Sequence, residues 1–515
     1  MLPLLLIFIP IIGGVLVGAL KLEDRLRDRF VLTVTALTGF LGLFLFPYLS
    51  EVNVAVLRFS RILPPFGLSF RIDWLSVILV TIASAIWLLV TIYSFDYLKP
   101  SHHINRYHSF TLISYGSILG TLLAGDLLTL FLFFELLSFA SYGLVIHEGD
   151  EKAMRAGFLY LIMTIGGGLA ILFGVLAVYF LTGSVTMTAE GFLADSSILS
   201  LLAFLGFLIG FGMKAGMFPL HVWLPEAHPV APSPASALLS GIMLKVGAFG
   251  LLRIIFNVYQ YRFLAEIGWI KILLYGAILT ILLGSVFAIM QKNLKRRLAY
   301  SSVAQMGYIL LGMGLLSEQA MVGDVFHIFT HAIMKSCLFL VSGSMILLTG
   351  KTDVDDFKGI GKRMPISMAC FTMASLSMIG IPPFNGFLSK WFLGLGALQV
   401  NQPMCAVVLL ISSLLNAVYY LPIVINAFFR PEEHDFSRVT EPSLTMLVPV
   451  VILAIATVLF DIIPVNVLLE LSEVTAATLF GGGGGWALNG PPQQAAHANH
   501  SSTPGGLGHS LVVCP

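Results

Sequence analysis

The sequence predicts an all-α polytopic membrane protein of about fourteen transmembrane helices, each needing roughly 20 mostly apolar residues. Three observations carry that expectation. Hydrophobic residues make up 57% of the chain and charged residues only 11%, whereas soluble domains carry about 25% charged residues. Apolar stretches of helix length recur along most of the chain. The lysines and arginines gather in alternate connections between those stretches, as the positive-inside rule requires. A β-barrel is excluded, because its strands alternate apolar and polar over about ten residues. With 28 basic against 27 acidic side chains, nothing suggests the phosphate footprint of a nucleic-acid binder. The four cysteines, Cys337, Cys370, Cys405 and Cys514, form no CxxC and so give no disulfide framework or iron–sulfur motif.

The apolar stretches fall at 2–20, 30–49, 72–95, 109–124, 126–147, 155–182, 198–220, 234–257, 266–290, 296–316, 321–349, 365–400, 403–428 and 444–463. The first has no basic region ahead of it and reads as a span, not a cleaved signal peptide. With Lys21, Arg25, Arg27 and Arg29 placed in the cytoplasm, alternation also puts Lys99, Arg106, Lys152, Arg155, Lys292–Arg297, Lys351–Arg363, Arg430 and Arg438 there. Only Arg58, Arg61, Arg71, Arg262 and Lys271 fall on the other side. Both termini are then expected outside the cytoplasm, in a cell membrane. After Glu473 the chain lacks charged side chains and is rich in Gly, Pro, Ser and Thr, which predicts a flexible tail whose His497, His500 and His509 are solvated.

Five charges lie deep inside spans: Glu135, Lys214, Lys245, Lys335 and Lys390. Each opposes insertion by about 2.5–3.5 kcal/mol at the bilayer centre. Snorkelling suits Glu135 poorly because its side chain is short, and one glutamate cannot neutralise four lysines in static pairs. A polar pathway is the better reading. The segment GDVFHIFTHAIMKSCLFL places His327, His331 and Lys335 at i, i+4 and i+8, with Asp324 on the same face, within an arc of roughly 80°. Such a titratable stripe is what a proton relay needs. Interhelical hydrogen bonding by the histidines is the plainer alternative, and no accompanying motif supports a metal or haem. Two spans carry proline breaks beside a lysine: Pro219 follows Lys214, while Pro382 and Pro383 precede Lys390. His221 and His228 lie in the first broken segment and are accessory candidates, with Asp324.

The segments LLTLFLFFELLSFASYGL, GMKAGMFPLHVWLPEAHPVAPSPASALLSGIMLKVGAFG, LKRRLAYSSVAQMGYILLGMG, FHIFTHAIMKSCLFL and GIPPFNGFLSKWF resemble the antiporter-like membrane subunits of respiratory complex I. That family also includes large subunits of multisubunit sodium/proton antiporters and pump subunits of membrane-bound hydrogenases and formate hydrogenlyases. The resemblance runs from about residue 70 to 430. It implies fourteen helices, with helices 4–8 and 9–13 as inverted five-helix repeats. The corresponding division is 1–108, 109–257, 258–430, 431–473 and a tail, 474–515. Carried over by position, it makes Glu135 the partner of Lys214, Lys245 the eighth-helix lysine, His327, His331 and Lys335 the central axis, and Lys390 the twelfth-helix site. The chain ends too soon for the lateral helix of the largest pump subunit, and GIMLKVGAFG favours the shorter M-type or antiporter D-type subunit. The implied function is proton translocation or sodium/proton exchange within a larger complex, of hydrogenase or sulfur-reductase type first. A stand-alone antiporter component and an M-type subunit are the alternatives. No flavin, haem, quinone or nickel motif appears, so no cofactor is expected. Partner membrane subunits and a peripheral redox module would supply any redox chemistry.

Overall fold

The computed structural model describes residues 1–481, apart from 21, 52, 53, 61, 63, 65 and 463–466. Lys21, Arg61 and the tail from 482, with its three histidines and Cys514, lie outside the described residues. The chain runs α1 (Leu2–Leu20), α2 (Asp24–Leu43), α3 (Leu45–Glu51), strands β1 (Ala55–Phe59) and β2 (Leu68–Ile72), α4 (Trp74–Tyr97), α5 (Ile104–Leu122), α6 (Leu127–Val145) and α7 (Glu151–Thr182). It continues through α8 (Ile198–Ala215), α9 (Leu224–Val230), α10 (Ser233–Leu238), α11 (Leu244–Arg253), α12 (Tyr261–Glu266), α13 (Ile270–Met290), α14 (Leu294–Leu315) and α15 (Glu318–Thr349). The last helices are α16 (Pro365–Ile379), α17 (Asn385–Gln399), α18 (Pro403–Phe429), α19 (Leu444–Ile462) and α20 (Val467–Leu479).

Eleven helical segments among the described residues are long and apolar enough to cross a membrane, and the protein is a multi-pass membrane protein. The remaining predicted stretches are occupied by α5, by the shorter pair α16 and α17, and by α19. The helix α20 continues past the boundary expected at 473. The connection between the second and third predicted spans contains an antiparallel hairpin, with Ala55 opposite Ile72 and Phe59 opposite Leu68. The sequence reading placed no strand there.

The two predicted breaks are present. The helix α8 ends at Gly216, whose φ of 74° closes the last turn, and α9 resumes only at Leu224. The helix α16 ends likewise at Gly380, φ 90°, before α17. A residue with a Cβ is strained at both positions, so glycine is the natural terminator. Lys214 lies in the last turn before its break, whereas Lys390 follows its break on α17. A different irregularity was not expected. The segment carrying Lys245 passes through π-helical turns at Leu239–Met243 and Ile254–Val258, insertions that often mark functional sites.

The interior belongs to three segments. Residues Ser233–Val258 are entirely buried, α14 nearly so, and α15 shows no exposed residue from Ala320 to Met345. The helices α1, α7 and α18 instead present large apolar side chains outward, such as Phe8, Phe158, Phe180, Leu410 and Leu414, as a lipid-facing rim should. Small residues let the inner helices approach closely. A Cβ on Gly247 of α11 would stand 2.5 Å from the Phe211 carbonyl oxygen and the Ala215 nitrogen of α8, and backbone cannot move aside as a side chain can. Gly247→Leu should therefore force α8 from α11 and destabilise the bundle by about 1–3 kcal/mol or more. Thermal unfolding in detergent checks this, with the exposed Gly166→Leu, which meets nothing within 4 Å, expected to leave the midpoint nearly unchanged.

Candidate ion pathway

The long helix α15 carries the central groups on one buried face. Lys335, His331, His327 and Asp324 are all fully buried. An ammonium in such surroundings needs acceptors. Lys335 Nζ donates to the Leu298 carbonyl at 2.9 Å, to Tyr420 Oη at 3.2 Å, and to Ser301 Oγ. One turn away, the rings of His331 and His327 lie parallel with centroids 5.7 Å apart. His327 Nδ1 is 2.9 Å from Ser389 Oγ on α17, while its ring stacks on Tyr308 of α14 at 5.5 Å. Lys390 Nζ lies 5.2 Å from the centroid of that same Tyr308. It donates to the carbonyls of Met378 and Ile379, at 2.7 and 2.9 Å, and to Ser413 at 3.2 Å. Those two carbonyls end α16, so the helix break supplies the acceptors that hold the lysine.

Lys245 reaches the axis from the other side. Its Nζ donates to the Ser240 carbonyl at 2.7 Å within the π-helical segment. Ser240 Oγ then meets Ser302 Oγ at 2.7 Å, next to the Ser301 that receives Lys335. Lysine, serine and histidine groups thus run from Lys245 through Lys335, His331 and His327 to Lys390. Both nitrogens of His331, Nε2 of His327 and both carboxylate oxygens of Asp324 are buried without a hydrogen-bond partner among the described residues. Asp324 packs against Gly312 and lies outside the direct line of hydrogen bonds.

Glu135 and Lys214 stand differently from expectation. The ammonium donates to Tyr160 Oη at 2.6 Å and more distantly to Ser138 Oγ at 3.5 Å, and no direct Glu135–Lys214 ion pair forms among the described residues. The Glu135 carboxylate is turned toward Gly168 of α7, and its Oε1 is buried without a partner. Tyr160 and Ser138, with Ser141 2.6 Å from the tyrosine, occupy the position of the expected counter-ion. Of the accessory residues, His228 is fully buried with its ring stacked on Phe339 at 4.6 Å. His221 packs among Phe218, Phe287 and Tyr300. Neither joins the hydrogen-bonded line. Among the described residues no group of three or more His, Cys, Asp or Glu could hold a metal ion.

The sequence reading missed a second buried charge cluster. Arg253 at the end of α11 grips Asp73, the N-cap of α4, with two bonds of 2.6 and 2.8 Å, and Arg71 adds a third at 2.8 Å. Ser76 and Asn257 add one bond each to the guanidinium's terminal nitrogens. Arg253 lies within the apolar stretch 234–257, but nothing in the chain pointed to a partner 180 positions away. The hydroxyls of Tyr160, Ser301, Ser389 and Tyr420 were overlooked for the same reason.

Comparison with known proteins places this geometry. Residues 124–416 match the family model described as NADH:quinone oxidoreductase/Mrp antiporter, TM. Residues 65–108 match that of NADH-Ubiquinone oxidoreductase (complex I), chain 5 N-terminus. The chain is 35% identical over 422 residues to NADH-quinone oxidoreductase subunit N of Desulforudis audaxviator, covering 78% of this chain and 83% of that one. It is 31% identical to hydrogenase-4 component B of Escherichia coli, covering 84% of this chain and 68% of the relative. With the D-type subunit of the Na(+)/H(+) antiporter of Alkalihalophilus pseudofirmus it shares 29% identity over 89% and 92% of the two chains. Among solved structures, a chain of the Mrp complex from Dietzia sp. DQ12-45-1b has a TM-score of 0.84 at 24% identity, covering 93% of this chain and 97% of that one. A chain of the membrane-bound sulfane sulfur reductase, an archaeal respiratory membrane complex, gives 0.84 at 24% identity, with coverage of 93% and 98%.

Asp73→Asn should destabilise the chain by about 3–5 kcal/mol, because it strands two buried guanidiniums without their shared carboxylate. A large fall in the thermal midpoint of the purified variant checks this. The same change at the exposed Asp24, whose side chain is 81% accessible, should cost less than about 1 kcal/mol.

Proposed function

The chain belongs to the NADH:quinone oxidoreductase/Mrp antiporter membrane family, and on that premise we propose that it carries protons, or exchanges them for sodium, as one subunit of a larger membrane complex. The observation that carries the proposal is the buried line of titratable and hydroxyl groups from Lys245 through Lys335, His331 and His327 to Lys390. Ionisable groups at this depth are expensive to bury, and a merely structural role is served better by apolar packing.

In this reading protons enter near Lys214 and Lys245, cross along α15 and leave through Lys390. Water spans the intervals where two or more polar groups face each other. Glu135 and Lys214 form the switch. When the ammonium leaves Tyr160 and Ser138 for the carboxylate, the field it presents to the next buried group changes, and that change is passed along the line. Fourteen helices, ten of them in two inverted repeats, helices 4–8 and 9–13, would place Lys214 and Lys390 in mirrored roles. The opposite order of lysine and break in the two broken helices supports this.

The parent complex is proposed to be a redox-driven one of hydrogenase or sulfur-reductase type, supported by the likeness to hydrogenase-4 component B and the sulfane sulfur reductase fold. Its peripheral redox module would hold the cofactors. The match to the D-type antiporter subunit over 89% of the chain favours a second reading, a component of a stand-alone antiporter, and iron and nickel assays of the purified complex separate the two. The complex is proposed to sit in the cytoplasmic membrane with both termini outward, a reading supported by the basic connections under the positive-inside rule.

Lys390→Ala tests the function. Alanine keeps helix propensity but removes the titratable exit group, so the complex should assemble and lose at least about tenfold in ion translocation in sealed vesicles. Normal transport by the assembled variant would refute the assignment of Lys390. If the variant fails to assemble, Lys390→Gln, which keeps a polar contact to the α16 carbonyls, provides the same test.

A further inference from the structure

A cavity of about 650 Å³ opens between the first turn of α7, the short helix α9 and the start of α14. Three cations line it: Lys152, Arg155 and Arg296. Against them stand Glu226 in the cavity, bonded to Arg296 Nη2 at 2.7 Å, and Glu151 beside it, 3.5 Å from Arg155. The second is a fully solvated pair, each side chain 82% accessible, and such pairs hold little energy. Lys152 makes no ion pair among the described residues. The cavity is therefore net positive, and its guanidiniums keep nitrogens free for the forked contact that phosphate oxygens accept.

The floor is apolar, through Leu159 and Val230. On the face of α7 below Arg155, Ile162, Leu169 and Phe173 turn outward, 51%, 62% and 44% exposed, and continue as an apolar stripe down the helix. A basic hollow heading an apolar stripe has the shape and polarity of a phospholipid. An acidic protein segment would account for the charges but not for the stripe. We propose that this cavity binds the headgroup of an anionic phospholipid, its phosphate held by Lys152, Arg155 and Arg296 and an acyl chain laid along the exposed face of α7. Basic pockets between membrane helices recognise such headgroups. The bound lipid ties α7 to α14 across α9, the segment that follows the first helix break. The inference concerns binding alone and stands or falls independently of transport.

The test is native mass spectrometry of the purified complex, titrated with phosphatidylglycerol or phosphatidylcholine. The wild-type chain should hold phosphatidylglycerol about tenfold more tightly than phosphatidylcholine. That roughly tenfold preference should be lost in Lys152→Ala/Arg155→Ala and return in Lys152→Arg/Arg155→Lys. Both positions are exposed, so the fold should survive, and an unchanged thermal midpoint checks that. Equal retention of the two lipids, or unchanged retention in the alanine variant, would overturn the proposal. So would displacement of the lipid by millimolar inorganic phosphate, which would assign the cavity to the free ion, or a site filled by an acidic segment of a neighbouring subunit.

Discussion

An ammonium at the centre of an apolar helix bundle has to find its acceptors inside the protein, and much of this structure is arranged around that requirement at Lys335. Its Nζ is met by a carbonyl of α14, a serine of α14 and a tyrosine of α18. Holding those acceptors close fixes where α14 and α18 pass α15. The same helix must then bury two histidines and an aspartate on one face, which confines α17 and Ser389 to the other end of the stripe. A helix of this composition cannot face lipid, so the remaining helices wrap it.

The four lysines meet the requirement differently. Lys214 uses side-chain hydroxyls and stacks its charge near the Tyr160 ring, 5.1 Å from the centroid. Lys335 combines two hydroxyls with the Leu298 carbonyl. Lys245 uses a carbonyl of a π-helical turn, and Lys390 uses two carbonyls left at the end of a broken helix together with the Ser413 hydroxyl. Hydroxyls rotate and pass protons, whereas backbone carbonyls only accept, and the end lysines Lys245 and Lys390 are the ones held mainly by carbonyls. The Asp73–Arg253 pair lies elsewhere, joining the start of α4 to the end of α11, the helix that carries Lys245.

Much of this was legible in the sequence, and the reasons for the rest are specific. The spans could be placed because apolar length is a local property, and the buried lysines because a single charge in such a stretch is conspicuous. The breaks at Gly216 and Gly380 were marked by neighbouring prolines. The hairpin β1–β2 was not legible, since strands of five residues leave little periodicity. Nor were the π-helical turns, which depend on how the segment packs and not on its own composition. The partner of Arg253 and the hydroxyl partners of Lys214 and Lys335 lie on other helices, and one sequence alone does not connect them. Pairing Glu135 with Lys214 followed from the family resemblance; here the Tyr160 and Ser138 hydroxyls meet the ammonium instead.

The central claim is that ions cross along α15, and charge movement through the two stacked histidines tests it most directly. The assembled complex carrying His327→Leu and His331→Leu together would be adsorbed to a supported membrane and its charge displacement recorded after activation. Leucine fills the volume but neither takes a proton nor holds water, so the account predicts loss of the transported charge, with a smaller loss for either single change. Undiminished displacement in the double variant would show that the conducting route lies elsewhere.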